Sequence, residues 1–247
     1  MLPENSKINE MARLKKLQKI DPPRNIRLKF RKVGSLQYTS HLDLQRTFNR
    51  VIVRACIPVW YTKGFNPHIK LVFSTPLSVG AQSECEYLDI KIDREMSCGE
   101  IMERLNHELT EELCITDVYY PIDDFSEIGY AEYDMKIHTV GNSEKMAEDI
   151  KKILITSPLM LTKRTKAGDK EIDIIPLIKS IDVRYSSDED TVNINTVLRA
   201  SATEFLNPEM LVTALKNSLG ILSTDLSKEW YEIVRKEIFK EDMAVFR

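Results

Sequence analysis

The chain has 247 residues, of which 43% are hydrophobic and 30% are charged, and its formal net charge is −3. This composition is typical of a folded globular protein and excludes a wholly disordered chain. No apolar run reaches the roughly 20 residues that a membrane helix needs, and the charged N-terminus lacks the apolar core of a secretory signal, so we expect a cytoplasmic protein with no membrane partner.

The charge is unevenly distributed along the chain. Residues 1–80 carry 15 Lys and Arg against 4 Asp and Glu, a net charge of +11, whereas the remaining 167 residues carry 20 against 34, a net charge of −14. A basic N-terminal part predicts an anionic partner, which we interpret as RNA. The alternative interpretation is internal, with the basic and acidic parts of the chain attracting one another.

Four cysteines are present, and no two of them form a C-x-x-C pair, which argues against a zinc ribbon. The C-x-x-x-C-x-x-C run that a radical-SAM iron–sulfur cluster normally requires is also absent from the sequence. We therefore expect reduced thiols in or near the core, with no metal site and no cofactor.

The first elements lie at the N-terminus. Residues 1–23 are predicted to form an arm or a short amphipathic helix, which the prolines at positions 22 and 23 end. From Arg24 onward, apolar residues at positions 26, 28 and 30 alternate with Arg27, Lys29 and Arg31. This alternation predicts a half-buried strand with a basic outer face.

A helix is predicted next, over residues 41–55, with Ser40 or Thr39 as its cap. The helix carries a stripe of arginines spaced four residues apart: Arg46, Arg50 and Arg54. Side chains at this spacing share one face of a helix, so they present their charges together.

The remaining pattern gives each half the order β-α-β-β-α-β. Further strands of the first half are predicted at residues 58–63, 69–75, 86–93 and 115–122, with a helix after Ser97. The second half has strands predicted at residues 130–139, 159–164, 171–178, 181–185, 191–199 and 230–239, and helices at 143–154 and 208–219. The sequence therefore predicts an α+β fold of two tandem ferredoxin-like domains with antiparallel sheets, a basic one over residues 24–125 and a second over 126–247.

Two segments contain the residues that we interpret as an RNA site: residues 38–44 (YTSHLDL) and residues 63–68 (KGFNPH). We expect Tyr38 and Phe65 to stack on bases, and His41, Asn66 and His68 to line the recognition site. The predicted phosphate contacts are Arg27, Lys29, Arg31, Arg46, Arg50, Arg54, Lys63 and Lys70. A basic loop of the second half is a further predicted clamp for a nucleic-acid backbone, through Lys163, Arg164 and Lys166.

Other interpretations of these residues stay open at this point. Phe65 also fits a plug under its own loop, and the helix start fits a structural cap as well as a phosphate site. His41 and His68 are candidate acid–base residues of an RNA-processing or RNA-modifying enzyme. A protein–protein adaptor is the second alternative to the leading interpretation, which is a non-catalytic accessory module that binds tRNA or rRNA.

Several motifs of the chain resemble the radical-SAM-linked family of bacterial proteins. They are residues 29–32 (KFRK), Gly34, 40–44 (SHLDL), 64–68 (GFNPH), 74–80 (STPLSVG), 86–90 (EYLDI) and 171–178 (EIDIIPLI). The resemblance covers approximately residues 25–240. It implies an accessory role beside a radical-SAM protein with a cobalamin-binding-like region, and it implies no particular reaction. Ile175 stands where relatives often have an arginine, which weakens any ligand site inferred in the second half.

Overall fold

The computed structural model describes residues 12–156, 158–165, 168–222 and 229–247, with the backbone alone for 156, 163–165 and 168–170. The chain divides into two compact units. The first contains the residues up to Val79, Ser83–Ile122 and Arg247, and the second contains Gly80–Gln82 and Asp123–Phe246. Within the described ranges, no helix has both the length and the apolar character needed to cross a lipid bilayer.

The described part of the first unit is built on an antiparallel sheet with two long helices and a short helical segment at residues 12–16. Its elements are β1 (Lys19–Lys32), α1 (His41–Arg54), β2 (Val72–Phe73), β3 (Gln82–Arg94), α2 (Cys98–Glu108) and β4 (Leu113–Tyr119). The strands lie in the order β4-β1-β3-β2, and every neighbouring pair is antiparallel. This order places β1 between β3 and β4, at the centre of the unit's sheet.

Strand β1 and helix α1 supply much of the core of the first unit. Ile26, Leu28 and Phe30 are completely buried, as their alternation predicts. Helix α1 buries Phe48 among other residues, and its ring lies 4.9 Å from that of Phe30 in an edge-on arrangement. Because a fully buried side chain of this size contributes roughly 1.5–3 kcal/mol, these contacts fix α1 on the sheet.

The second unit contains a four-stranded antiparallel sheet, two helices and a separate hairpin. Its elements are β5 (Ile128–His138), α3 (Ser143–Thr156), β6 (Met160–Thr165), β7 (Gly168–Asp173), β8 (Ile178–Ser186), β9 (Thr191–Arg199), α4 (Pro208–Leu219) and β10 (Trp230–Lys240). The sheet order is β10-β5-β9-β8, and among the described residues β6 and β7 form a separate two-stranded sheet. The chain is thus a mixed α+β protein in which the strands are mostly antiparallel and outnumber the helices among the described residues.

The helix boundaries follow local signals closely. Ser40 caps α1 by accepting a hydrogen bond from the backbone N–H of Asp43, and Asn207 caps α4 in the same way from Glu209. Helix α4 ends at Gly220, whose φ of 67° lies in the left-handed region that glycine adopts most easily. The predicted helices over 41–55 and 208–219 are confirmed.

Several predicted strands differ from the structure: residues 58–63 form isolated bridges at Val59 and Tyr61, and the strand predicted over 69–75 is limited to Val72–Phe73. Two further boundaries are wrong for local reasons. Strand β1 begins at Lys19 and continues through the two prolines, where its pairing with β3 is irregular between Lys19 and Arg24. Proline is tolerated in a strand at such an irregularity, so it did not end the element. The predicted strand over 171–178 ends at Asp173, because Ile175–Leu177 forms a 3₁₀ turn with proline in its first turn.

Candidate functional site

The start of α1 is organised by the polar residues of the SHLDL segment. The Ser40 hydroxyl donates to Asp43 at 2.7 Å, and Arg46 lies 3.2 Å from the other oxygen of that carboxylate. The hydroxyl of Ser40, followed by the guanidinium group of Arg46, holds the pKa of Asp43 below its ordinary value. Ser40 and Asp43 therefore cap and stabilise the N-terminus of α1.

His41 belongs to an aromatic cluster. Its exposed ring lies 5.0 Å from the ring of Phe73, which lies 5.9 Å from that of Phe48. A small cavity of about 20 Å³ beside it is lined by Lys32, Thr39, His41, Leu44, Phe73, Thr75, Pro76, Leu77 and Glu86. The lining of this cavity thus brings together residues of four motifs that are separate in the sequence.

Two charged residues line this cavity and are buried. Lys32 is 3% exposed and Glu86 is 6% exposed. The side chain of Lys32 also donates to the backbone oxygen of Gln37 at 3.3 Å. Sequence reasoning missed both as site residues, although one signal was present: Lys32 continues the inward positions 26, 28 and 30 of β1, so the alternation alone places an ammonium group on the core side.

A second, larger cavity lies between α1, the end of α2 and the end of β1. Its volume is about 160 Å³, and it is lined by Lys32, Leu36, Thr39, Leu44, Thr47, Val51, Glu108, Leu109, Thr110 and Leu113. The Glu108 side chain is 9% exposed, and Nη2 of Arg54 lies 2.6 Å from its Oε2 atom. Lys32 and Thr39 line both cavities, so the larger one extends the site that begins at His41.

The KGFNPH segment forms the tip of an irregular hairpin. Tyr61 and Ile69 form a backbone bridge at its base. Nδ1 of His68 lies 3.1 Å from the Thr62 hydroxyl and 3.1 Å from the backbone oxygen of Asn66. These contacts hold the turn closed and leave its tip exposed to solvent.

Phe65 lies at this tip and is fully exposed. The alternative in which its ring fills a gap under the loop is therefore wrong. Asn66, Lys63 and Lys70 are exposed as well, and so is Tyr38, which precedes the start of α1. Exposed aromatic rings beside lysines are the arrangement that stacking on unpaired bases requires.

The two candidate catalytic histidines have separate neighbours. His41 contacts Phe73, whereas His68 contacts Thr62 and Asn66 within its own loop. No contact of the described side chains joins one histidine to the other. Within the ranges that the structure covers, no group of three or more His, Cys, Asp or Glu residues is placed to hold a metal ion.

The cations of β1 and α1 divide into those that are bound within the protein and those that are open to solvent. Arg27 is 1% exposed and is bound by Asp89, so the predicted basic outer face of β1 is wrong at this position. Arg31 donates to the backbone oxygen of Glu111, and Lys29 lies over the ring of Tyr87. Because its charge is neutralised in the interior, Arg27 is not available to a phosphate.

The arginine stripe of α1 is partly neutralised. Arg46 pairs with Asp43 and Arg54 pairs with Glu108, both carboxylates of the first unit. Arg50, Lys63 and Lys70 are exposed, and their side chains make no ion pair or hydrogen bond with the described part of the chain. We call these three residues the open cations.

The basic loop of the second half is only partly described. The backbones of Lys163 and Arg164 pair with those of Lys170 and Asp169 in the β6–β7 hairpin. Lys166 lies outside the described residues. The predicted clamp therefore stays a prediction.

Fold and site together describe a two-unit α+β protein whose first unit exposes the rings of Tyr38 and Phe65 and the open cations, and buries Lys32 and Glu86 beside a small cavity. Residues 25–208 match the family described as "uncharacterized protein conserved in bacteria (DUF2344)", and the chain belongs to that family. Among curated proteins, none matches the chain.

Proposed function

We propose that the first unit is a binding module for single-stranded RNA. The observation that carries this proposal is the fully exposed ring of Phe65 at the tip of a closed turn, with Lys63 and Lys70 exposed on the same hairpin. An aromatic ring stacks on any base, while ammonium groups bind the backbone phosphates. Tyr38 offers a second exposed ring close to the start of α1.

The charges of the first unit support the same proposal. The open cations, Arg50, Lys63 and Lys70, have no carboxylate partner in the described chain, so phosphates do not have to compete for them. Each phosphate bound to such a cation releases a counterion, and for single strands this makes the fall of log affinity with log salt steeper by about 0.7. The three residues together therefore account for a slope of about 2.

This proposal predicts the effect of removing the open cations. The variant Arg50→Gln/Lys63→Gln/Lys70→Gln is expected to bind single-stranded RNA more weakly. Its log affinity should fall less steeply with log salt, by about 2 in the slope. Fluorescence anisotropy with a labelled oligonucleotide at several salt concentrations measures both quantities. Because all three side chains are exposed, the melting temperature should change little.

A matched control has the same loss of charge elsewhere. Lys145, Lys151 and Lys216 are exposed residues of the second unit, and Lys145→Gln/Lys151→Gln/Lys216→Gln also removes three positive charges. If the salt dependence weakens equally in both variants, the change in net charge alone explains the effect. A wild-type affinity that does not respond to salt would rule out RNA binding through phosphates.

The finer structural and cellular assignments are part of the same proposal. We propose that each unit is a ferredoxin-like domain, which the strand orders β4-β1-β3-β2 and β10-β5-β9-β8 support. In the second unit the β6–β7 hairpin is then an insertion between α3 and β8. The resemblance of the motifs to the radical-SAM-linked family supports a cytoplasmic role in presenting RNA to a radical-SAM enzyme.

A second candidate function, docking onto that enzyme, is favoured by two exposed apolar residues of α1. Leu42 and Val53 are each about half exposed, and they are eleven residues apart, so they lie within about 20° of each other around the helix. Aliphatic residues exposed on one face of a helix fit a helix-in-groove contact. This surface does not require RNA.

The variant Leu42→Gln/Val53→Gln tests this second candidate. We expect at least about tenfold weaker capture of the radical-SAM protein in a nuclease-treated pull-down, since two side chains that become buried each contribute about 1 kcal/mol. Val140→Gln/Ile155→Gln, at exposed positions of the second unit, is the matched control. Capture that disappears on nuclease treatment of the wild-type protein would rule out direct docking.

A further inference from the structure

Strand β8 lies at one edge of the sheet of the second unit. The strand order is β10-β5-β9-β8, so the described chain supplies a neighbouring strand on only one side of β8. From Ser180 to Ser186 its pairing with β9 is regular, without a bulge. A regular edge strand presents unpaired N–H and C=O groups along its outer side, and another strand can add to them. The outer side of β8 is therefore a candidate docking edge.

The two faces of β8 differ in chemistry. Val183 is buried and the Tyr185 hydroxyl donates to Glu144 of α3, so the odd-numbered side chains face the helix. The side chains of Asp182 and Arg184 are 54% and 81% exposed, and Nε of Arg184 lies 2.7 Å from Oδ2 of Asp182. Because side chains alternate along a strand, these two charges lie on the face away from α3.

A second copy of the same strand fits this edge in one antiparallel register. When Val183 lies opposite its own counterpart, Asp182 of each copy lies opposite Arg184 of the other. Ile181 then lies opposite Tyr185, and such pairs of a β-branched and an aromatic side chain stabilise a sheet. A shift of the two-fold axis by one residue places Asp182 opposite Asp182 or Arg184 opposite Arg184, and directly opposed like charges destabilise a pair of strands. The side chains of β8 thus select the register with its axis at Val183.

This register keeps the ion pair that each copy already makes. The two aspartates and two arginines form a square around the axis, in which each carboxylate has one guanidinium group beside it on its own strand and another across the axis. The contact between Asp182 and Arg184 within one copy is therefore extended and not broken. A network of alternating charges contributes more than an isolated surface pair does. Since one added strand buries a small area, we expect a dissociation constant of about 10–100 µM.

We propose that the protein forms a symmetric dimer through β8, in which the second copy adds its own β8 antiparallel to the first. The two-fold axis passes through Val183, and the sheets of the two second units become continuous. A contact that uses the same patch on both copies closes after two, so it produces a dimer and not a fibre. The contact lies wholly in the second unit and does not depend on RNA binding by the first.

Charge reversal tests the proposed register. Sedimentation of the nuclease-treated, full-length protein is measured from about 5 to about 500 µM, a range that brackets the expected dissociation constant. Asp182→Arg places arginines opposite arginines, and Arg184→Asp places aspartates opposite aspartates, so each should weaken the dimer about tenfold or more. Asp182→Arg/Arg184→Asp restores the alternation of sign and should return the dissociation constant to within about threefold of the wild type.

An equimolar mixture of the two single variants is a sharper test. One variant carries two guanidinium groups at these positions and the other carries two carboxylates, so opposite charges meet at both positions of the same register. We expect the mixture to form heterodimers at concentrations where each variant alone is monomeric. Asp134→Arg, at an exposed position of the inner strand β5, makes the same change of charge and should leave the wild-type dissociation constant unchanged. Melting temperatures confirm that each variant is folded.

Each outcome supports or overturns the dimer. A wild-type protein that stays monomeric over the whole range overturns it and leaves the edge to an extended segment of a different protein. A dimer that forms equally well in both reversal variants overturns β8 as the interface. A mixture that does not associate overturns the register. Association that returns in the double variant and in the mixture, with slower hydrogen exchange of the β8 amides at high concentration, supports the proposal.

Discussion

Asp89→Leu is expected to lower the free energy of unfolding by about 3–5 kcal/mol. Asp89 binds Arg27 with both carboxylate oxygens, at 2.7 Å to Nε and 2.8 Å to Nη2, and it also accepts from the Asn25 amide at 3.2 Å. Arg27 is 1% exposed. Removal of the carboxylate leaves a buried guanidinium group without the charge that neutralises it, and this is the reason for the large cost.

Urea unfolding followed by circular dichroism measures this effect, and two further variants interpret it. Asp182→Leu removes a strand carboxylate that pairs with Arg184 at the surface, where both side chains are more than half exposed, so its cost should be below about 1 kcal/mol. Arg27→Met/Asp89→Leu replaces the buried pair by apolar groups and should recover most of the stability, because such replacements are often neutral.

The double variant also covers the case in which Asp89→Leu does not fold. A double variant as unstable as the single one would mean that the ion pair itself, and not the unpaired charge, stabilises the sheet. Equal unfolding curves for Asp89→Leu and Asp182→Leu would contradict the expected cost of leaving the guanidinium group unpaired.

Arg27 shows what sequence alternation can and cannot predict. The period of two correctly assigns Ile26, Leu28 and Phe30 to the core, since alternation follows from strand geometry alone. It does not tell whether the opposite face is covered, and at Arg27 that face is buried. The interpretation of β1 as basic on its outer side therefore needed tertiary information.

Local signals predicted the helices best. The caps at Ser40 and Asn207 and the glycine at position 220 depend on neighbours within a few residues, so the sequence contains all the information they need. The strand predicted over 171–178 is wrong at its end, because Pro176 lies in a 3₁₀ turn that interrupts the apolar alternation.

The candidate site was predictable only in part. Exposed Phe65 and Lys63 lie together because they are two residues apart in one turn. The larger cavity instead combines Lys32, Thr47 and Glu108, which three different elements supply. No pattern within a short window connects them, so their convergence required the fold.

Phe48→Ala is expected to lower the free energy of unfolding by about 3–5 kcal/mol. The ring is completely buried and contacts Phe30 at 4.9 Å and Phe73 at 5.9 Å, both edge-on. Truncation to alanine removes these contacts and leaves a cavity under α1, and both effects act in the same direction. Thermal and urea unfolding measure the loss.

Phe65→Ala removes the same atoms from a fully exposed position. Its stability should stay within about 0.5 kcal/mol of the wild type, since exposed substitutions away from caps and pairs cost little. Its RNA binding should weaken by about 1–3 kcal/mol, the usual contribution of one stacked base. The two phenylalanines are therefore expected to differ in role: Phe48 supports the fold, and Phe65 contributes to the proposed RNA binding.

Measuring both properties in both variants makes the comparison decisive. Below its melting temperature, Phe48→Ala should retain most of its RNA affinity, because Phe48 has no surface to offer a base. Phe65→Ala with unchanged RNA affinity would eliminate base stacking at the hairpin tip. A large loss of stability in Phe65→Ala would mean that the tip is packed against the protein in solution, and the exposed ring that supports the RNA-binding proposal would then be absent.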